Sequence, residues 1–208
     1  MMARYGFAGV LLFAMISLGA GDDSPKAPTV GQNAPDWQAE AWSDGKVRVP
    51  SDFRGKIVFL DFWGIWCGPC IHAMPAIEQL RTKYEAKGVV FLSVHTPGEE
   101  LAKIRKLLDR EKVKMPFLLD QSRGKDDGGR RGVTGERYGI AGYPTVILID
   151  RKGKIAFRSD DATVVPSAVK MAKEELGIDL QKADADQFRE VLKVFYDHEI
   201  ERAMAQPK

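Results

Sequence analysis

Two cysteines stand in one pentapeptide, Trp66-Cys67-Gly68-Pro69-Cys70, and the chain holds no others. A C-x-x-C pair can close and open as a disulfide, and near a βαβ pattern it reads as a redox motif. The chemistry needs a thiolate that attacks a disulfide sulfur and a second thiol that resolves the mixed disulfide. Cys67 falls where a helix should start, so unpaired N–H groups and the helix dipole favour its thiolate. Cys70 comes one turn later. Pro69 suits a first helical turn, where its missing N–H is not needed. Two other readings compete. As a staple, a bridge between residues so near in sequence removes only roughly 2 kcal/mol of unfolded-state entropy. As a metal site, the pair would need partners such as His72 and His95. Zinc wants four ligands at recurring spacings, and one C-x-x-C supplies two. No metal is therefore expected.

The elements that must position the pair follow from the apolar pattern. Ile57 to Trp63 (IVFLDFW) is nearly continuous and apolar, the signature of a strand covered on both faces. Asp61 alone interrupts it, and a carboxyl group in such a strand should have a raised pKa. A helix is predicted from about Cys67 to Lys87, stopped by Gly88. Val89 to Val94 is a second buried strand. Glu99 to Glu111 carries Leu101, Ile104, Leu107 and Leu108 at helical spacing. Phe117 to Leu119 is a short strand. Residues 120–136 hold five glycines and many charges and are predicted to be a long loop. Thr145 to Ile149 and Lys154 to Arg158 form a hairpin around Arg151-Lys152-Gly153. Val165 to Leu176 reads as helix, as does Ala185 to Ala205, with Phe188, Leu192, Phe195 and Ile200 near helical spacing. Upstream, Trp37–Trp42 and Lys46–Val49 flank Asp44-Gly45, a hairpin signal. The alternation predicts an α/β fold, a central mixed sheet flanked by helices, with an N-terminal hairpin and a C-terminal helical extension.

Length and charge narrow the functions. The chain has 208 residues, with 31 basic and 29 acidic side chains, a balance that argues against nucleic acid as partner. Residues 1–21 resemble a targeting segment: Arg4 precedes the uncharged apolar run Gly6 to Leu18, and small residues follow at cleavage positions. The run is short for a membrane span, which needs about 20 apolar residues. A cleaved secretory signal and an uncleaved anchor over residues 6–20 both remain open. Either delivers the domain to an oxidising space such as the periplasm, where a disulfide persists. Residues 22–35, rich in Pro, Gly, Asp and Ser, read as a linker, 36–176 as the domain, and 177–208 as the extension.

The chain resembles the thioredoxin superfamily, in particular its exported thiol–disulfide oxidoreductases of the TlpA/ResA type, which carry a redoxin-like domain. The matching stretches are Gly31-Gln32-Asn33-Ala34-Pro35-Asp36-Trp37, Phe53-Arg54-Gly55-Lys56, Phe62-Trp63, Trp66-Cys67-Gly68-Pro69-Cys70, Gly142-Tyr143-Pro144-Thr145 and Asp150-Arg151-Lys152-Gly153-Lys154. The resemblance implies that Pro144 is cis beside the disulfide and that Tyr143 lines a substrate groove. Trp66, Gly68 and Pro69 would shape the surface around Cys67. An extended substrate strand could pair at the cis-proline turn. Pro75 matches the proline inside the active-site helix. Asp61 matches the carboxylate that manages the proton of the second cysteine, general acid–base work on Cys70. One departure matters: cytochrome-c-maturation members carry Glu three residues after the second cysteine, and here that position is Ala73. The core chemistry carries over; the cytochrome-maturation task does not.

The expected activity is reduction of protein disulfides through the CGPC dithiol, without a cofactor beyond the Cys67–Cys70 couple. Its partners would be protein disulfide or dithiol substrates and, for a reductant, a membrane thiol electron donor. A thiol peroxidase on the same fold would place Thr three residues and Pro seven residues before its reactive cysteine. Cys67 has Gly64 and Leu60 there, and Cys70 has Cys67 and Trp63. Copper delivery on this fold uses C-x-x-x-C with a distant His. A non-catalytic binding module would instead depend on the charged 120–136 loop.

Overall fold

The computed structural model describes residues 27–46, 48–124 and 131–207. The targeting segment 1–21, residues 22–26 of the linker and residues 125–130 of the charged loop lie outside the described residues. Among the described residues no helix is long and apolar enough to cross a membrane.

Six strands form one mixed sheet: β1 (Ala39–Trp42), β2 (Ile57–Trp63), β3 (Val89–His95), β4 (Phe117–Asp120), β5 (Thr145–Ile149) and β6 (Ile155–Arg158). Their spatial order is β1-β4-β3-β2-β5-β6. β2, β3 and β4 run parallel, while β1, β5 and β6 pair antiparallel with their neighbours. All seven residues of β2 are buried, which is why its sequence lacks alternation. The helices are α1 (Gly68–Tyr84), α2 (Leu101–Arg110), α3 (Val133–Arg137), α4 (Val164–Glu175) and α5 (Ala185–Ala205). α1 passes into a 3-10 turn that Gly88 ends at φ +85°, the left-handed stop its residue type foretells.

The sheet splits the core in two. Ile57, Phe59 and Trp63 of β2 pack with apolar residues of α1, α2, α4 and α5. Val58, Leu60 and Phe62 face the opposite way, against Trp37, Trp42, Tyr138 and Ile140. The second face is thus covered by the N-terminal segment and the short α3 region, and the long helices crowd the first.

Three expectations change. The Asp44-Gly45 turn forms, with Gly45 at φ +71°. Yet among the described residues no hairpin strand follows it: β1 pairs with β4, and Asp44 binds Arg48 across the turn instead. The edge of β4, brought there by the sheet, is the partner that β1 takes. Next, part of the stretch read as linker is bonded to the β5–β6 hairpin. Gly31 N–H donates to Ile155 O at 2.8 Å, and Ala34 N–H to Gly153 O at 2.9 Å. Finally, α5 packs along α1 and belongs to the main core through Val191, Phe195, Tyr196 and Ile200. Phe188, placed on the apolar stripe by spacing, is exposed, and Tyr196 is buried in its stead. Phe195 and Ile200 keep their places on the buried stripe, which Tyr196 joins four residues after Leu192, while Phe188 lies in the first turn that the Asp184–Gln187 capping box opens.

Candidate active site

β2 runs into the redox turn and α1 leaves it. Cys67 is the N-cap of α1, and its Sγ accepts a hydrogen bond from Cys70 N–H at 3.2 Å. Gly68 and Pro69 open the first turn, where neither needs a helical N–H partner. Cys67 and Cys70 are joined as a disulfide, with Cα atoms 5.3 Å apart. Both are buried, while Trp66, Gly68 and Pro69 around them are exposed. Pro75 lies inside α1, so the Ile71 carbonyl loses its usual N–H donor there.

The turn itself is tightly held. Cys67 N–H donates to Gly64 O at 2.9 Å. Gly64 must lack a side chain, since a Cβ there would come 2.8 Å from the Trp66 ring. His95, the last residue of β3, lies opposite Trp63 and is fully buried. Its Nδ1 meets the Thr96 carbonyl at 2.6 Å, and its Nε2 accepts from Ile65 N–H at 3.1 Å. Burial pulls its pKa down to about 4, with the Thr96 bond and Glu99 opposing. Sequence reasoning touched His95 only as a possible metal ligand. Its true neighbours depend on strand register, which spacing alone does not show.

A second segment approaches the turn. The Tyr143–Pro144 peptide is cis, and Thr145 Oγ1 closes the bend by donating to Gly142 O at 2.8 Å. Tyr143 meets Trp66 edge to face, ring centroids 5.4 Å apart. Burial pushes the Tyr143 phenol up to about 12, with Asp120 adding to the rise and Arg131 opposing it. Trp66, Tyr143, Gly142, Arg123 and Arg131 line an open cavity of about 470 Å³. The two arginines come from the charged loop.

Asp61 occupies the β2 face that α1 covers, in alternation with Phe59 and Trp63. It is 2% exposed, and burial alone lifts its carboxyl to about 7. Its Oδ1 and the hydroxyl of Ser93, its partner across the β2–β3 ladder, have no hydrogen-bond partner among the described residues. The Tyr196 phenol on α5 is raised by burial and then by the charge of Asp61. Ser93 and Tyr196 were missed by sequence reasoning. A lone Ser in an apolar run carries no signal, and nothing in the α5 pattern says that Tyr196 meets β2 near Asp61.

The described residues contain no group of three or more His, Cys, Asp or Glu placed to hold a metal ion. What this arrangement can do is shuttle two electrons: a cysteine pair at a helix N-terminus that closes as a disulfide, a buried acid on the sheet face that the helix covers, and a groove beside Trp66.

Comparison with known proteins gives a concordant picture. The family model described as Redoxin matches residues 29–176. The thiol–disulfide oxidoreductase ResA of Geobacillus thermodenitrificans is 35% identical over 129 residues, 62% of this chain and 68% of that protein. The thioredoxin-like protein YneN of Bacillus subtilis is 34% identical over 126 residues, 60% of this chain and 68% of its own length. A crystal structure of the thioredoxin domain of a thiol-disulfide oxidoreductase from Bacteroides vulgatus superposes with a TM-score of 0.55 at 27% identity. It covers 69% of this chain and 97% of that one.

Proposed function

The chain belongs to the redoxin family and is a thiol–disulfide oxidoreductase of the thioredoxin superfamily, and from that premise we propose that it reduces protein disulfides outside the cytoplasm through Cys67 and Cys70. The observation that carries the reading is the Cys67–Cys70 pair at the start of α1, with Asp61 buried on the side of β2 that α1 covers.

In the reduced protein the Cys67 thiolate attacks one sulfur of the substrate disulfide. A Cys67–substrate bond forms, and the other substrate sulfur leaves as a thiolate and takes up a proton. Asp61 carboxylate then accepts the Cys70 proton. Cys70 sulfur attacks Cys67 Sγ, closes the Cys67–Cys70 disulfide and expels the second substrate thiolate. Two electrons pass from the protein dithiol to the substrate. A membrane thiol donor would restore the dithiol, consistent with an exported reductant. Trp66, Gly68, Pro69, Tyr143 and Pro144 form the surface on which the substrate strand lies. The Gly-Pro pair between the cysteines leans toward reduction by analogy with thioredoxins.

The test is covalent capture. With Cys70→Ser, Cys67 should hold its substrates as mixed disulfides that a small dithiol releases, and Cys67→Ser should capture none. Empty Cys70→Ser protein whose Cys67 still reacts with an alkylating reagent would end this reading.

A further inference from the structure

We propose that His95 is a positioning residue for the redox turn: its neutral ring holds the Ile65 amide, and through it the loop that presents Trp66 and Cys67. The inference deepens the dithiol reading and rests on it.

The loop between β2 and α1 is four residues long, Gly64-Ile65-Trp66-Cys67. Two bonds tie the end of β2 and that loop to residues at the end of β3. Thr96 N–H donates to Trp63 O at 3.0 Å, and His95 accepts from Ile65 N–H at 3.1 Å. The direction of the second bond is fixed by chemistry. The Thr96 carbonyl can only accept, so Nδ1 carries the proton, and Nε2 is left as a bare acceptor aimed at Ile65. The ring cannot swing away. It is fully buried, and Trp63 meets it edge to face with centroids 4.7 Å apart.

Two features set this apart from a histidine that merely fills the core. Its acceptor nitrogen serves the amide two residues before Cys67 rather than its own strand. And the loop it holds has no slack: Gly64 is already in close approach to the Trp66 ring, and Cys67 N–H already binds Gly64 O. Losing the Ile65 bond would leave a part-buried N–H without its acceptor, which the loop relieves by moving. Movement of Ile65 carries Cys67 away from the helix N-terminus that stabilises its thiolate.

The test compares His95→Gln with His95→Leu. Both remove the donor to Thr96, but the glutamine oxygen can still accept near the Nε2 position. The readouts are the pH dependence of Cys67 alkylation in the reduced protein, the exchange equilibrium with glutathione, and thermal unfolding. His95→Leu should raise the pH at which Cys67 becomes reactive. It should also shift the glutathione equilibrium constant about tenfold, about 30 mV for this two-electron couple. His95→Gln should recover most of both. If the two variants unfold earlier but keep the wild-type Cys67 titration and equilibrium, His95 is a packing residue and the inference falls. Equal losses in Gln and Leu would also overturn it. Failure of the wild-type pair to exchange with glutathione at all would instead strike at the dithiol reading.

Discussion

Asp61 lies within β2 and Asp120 ends β4, two strands away in the same sheet, and both are buried, at 2% and 1% exposure. Their surroundings differ sharply. Asp120 Oδ1 accepts from Thr134 N–H at 2.9 Å and Oδ2 from Gly135 N–H at 2.8 Å, so it ties the end of the charged loop to β4. Gly132 lacks a side chain because a Cβ would run into that carboxylate. Asp61 has an oxygen with no partner among the described residues, and burial alone raises its pKa. Asp120 is raised as well, but its bonds to Gly135 and Thr134 oppose the effect of burial. A buried acid with partners is a structural knot; a buried acid with an unsatisfied oxygen costs stability, and buried acids of that kind are concentrated at functional sites.

The largest effect should come from cutting the knot. Asp120→Ala leaves two buried N–H groups unpaired and should lose about 4 kcal/mol of stability, read by denaturant unfolding. Asp120→Asn, which keeps one acceptor, should lose less. Equal stability of Asp120→Ala and wild type would show that the knot is not needed. It would erase the contrast with Asp61.

Asp61 should respond in the opposite sense. Its folded pKa of about 7 lies above the ordinary 3.8, so the folded state holds the proton more tightly than the unfolded chain. The stability this confers is complete below about pH 4 and is lost progressively as pH rises to about 7. Above that, the ionised carboxylate is buried with its Oδ1 unsatisfied among the described residues. Asp61→Asn should therefore gain about 3 kcal/mol near pH 8.5 and differ little from wild type near pH 4. A gain that does not depend on pH would mean that the carboxyl does not titrate in this range.

The same substitution should exact a kinetic cost. If Asp61 accepts the Cys70 proton, closure of the Cys67–Cys70 disulfide from a mixed disulfide speeds up as pH rises through about 7. In Asp61→Asn that inflection should vanish and the rate above it should fall about tenfold or more. Stopped-flow closure from a preformed mixed disulfide checks this. An unchanged pH profile would leave Asp61 as a buried acid with no task.

The contrast also marks what a sequence can show. The cysteine pair, the strand before it and the start of α1 were legible because their determinants are local: an apolar run, a proline and a C-x-x-C within a few residues. The raised pKa of Asp61 was legible for the same reason, since its apolar neighbours in β2 are its environment. Asp120 was hidden as the first residue of a charged loop. Its partners lie 14 and 15 residues away, and only the fold brings them back. His95 and Tyr196 were obscured because strand register and the packing of α5 on the sheet decide what they face. The partner of β1 was misread because a turn signal says nothing about which sheet edge lies open.

The neighbouring hydroxyls offer the finest test of the comparison. Ser93 stands beside Asp61 and Thr134 beside Asp120, both within 1% exposure. The Ser93 hydroxyl has no hydrogen-bond partner among the described residues. Thr134 Oγ1 accepts from Gln38 N–H at 2.9 Å and donates to Gln38 O at 3.1 Å, fastening the N-terminal segment to α3. Deleting a satisfied hydroxyl strands its partners, whereas deleting an unsatisfied one removes a desolvation cost. Thr134→Ala should thus lose about 1 kcal/mol, and Ser93→Ala should hold steady or gain a fraction of that. Should Ser93→Ala lose as much as Thr134→Ala, Ser93 has a partner in solution. The pocket around Asp61 would then be a bonded network like that around Asp120, and the Asp61 pKa should move in the Ser93→Ala protein.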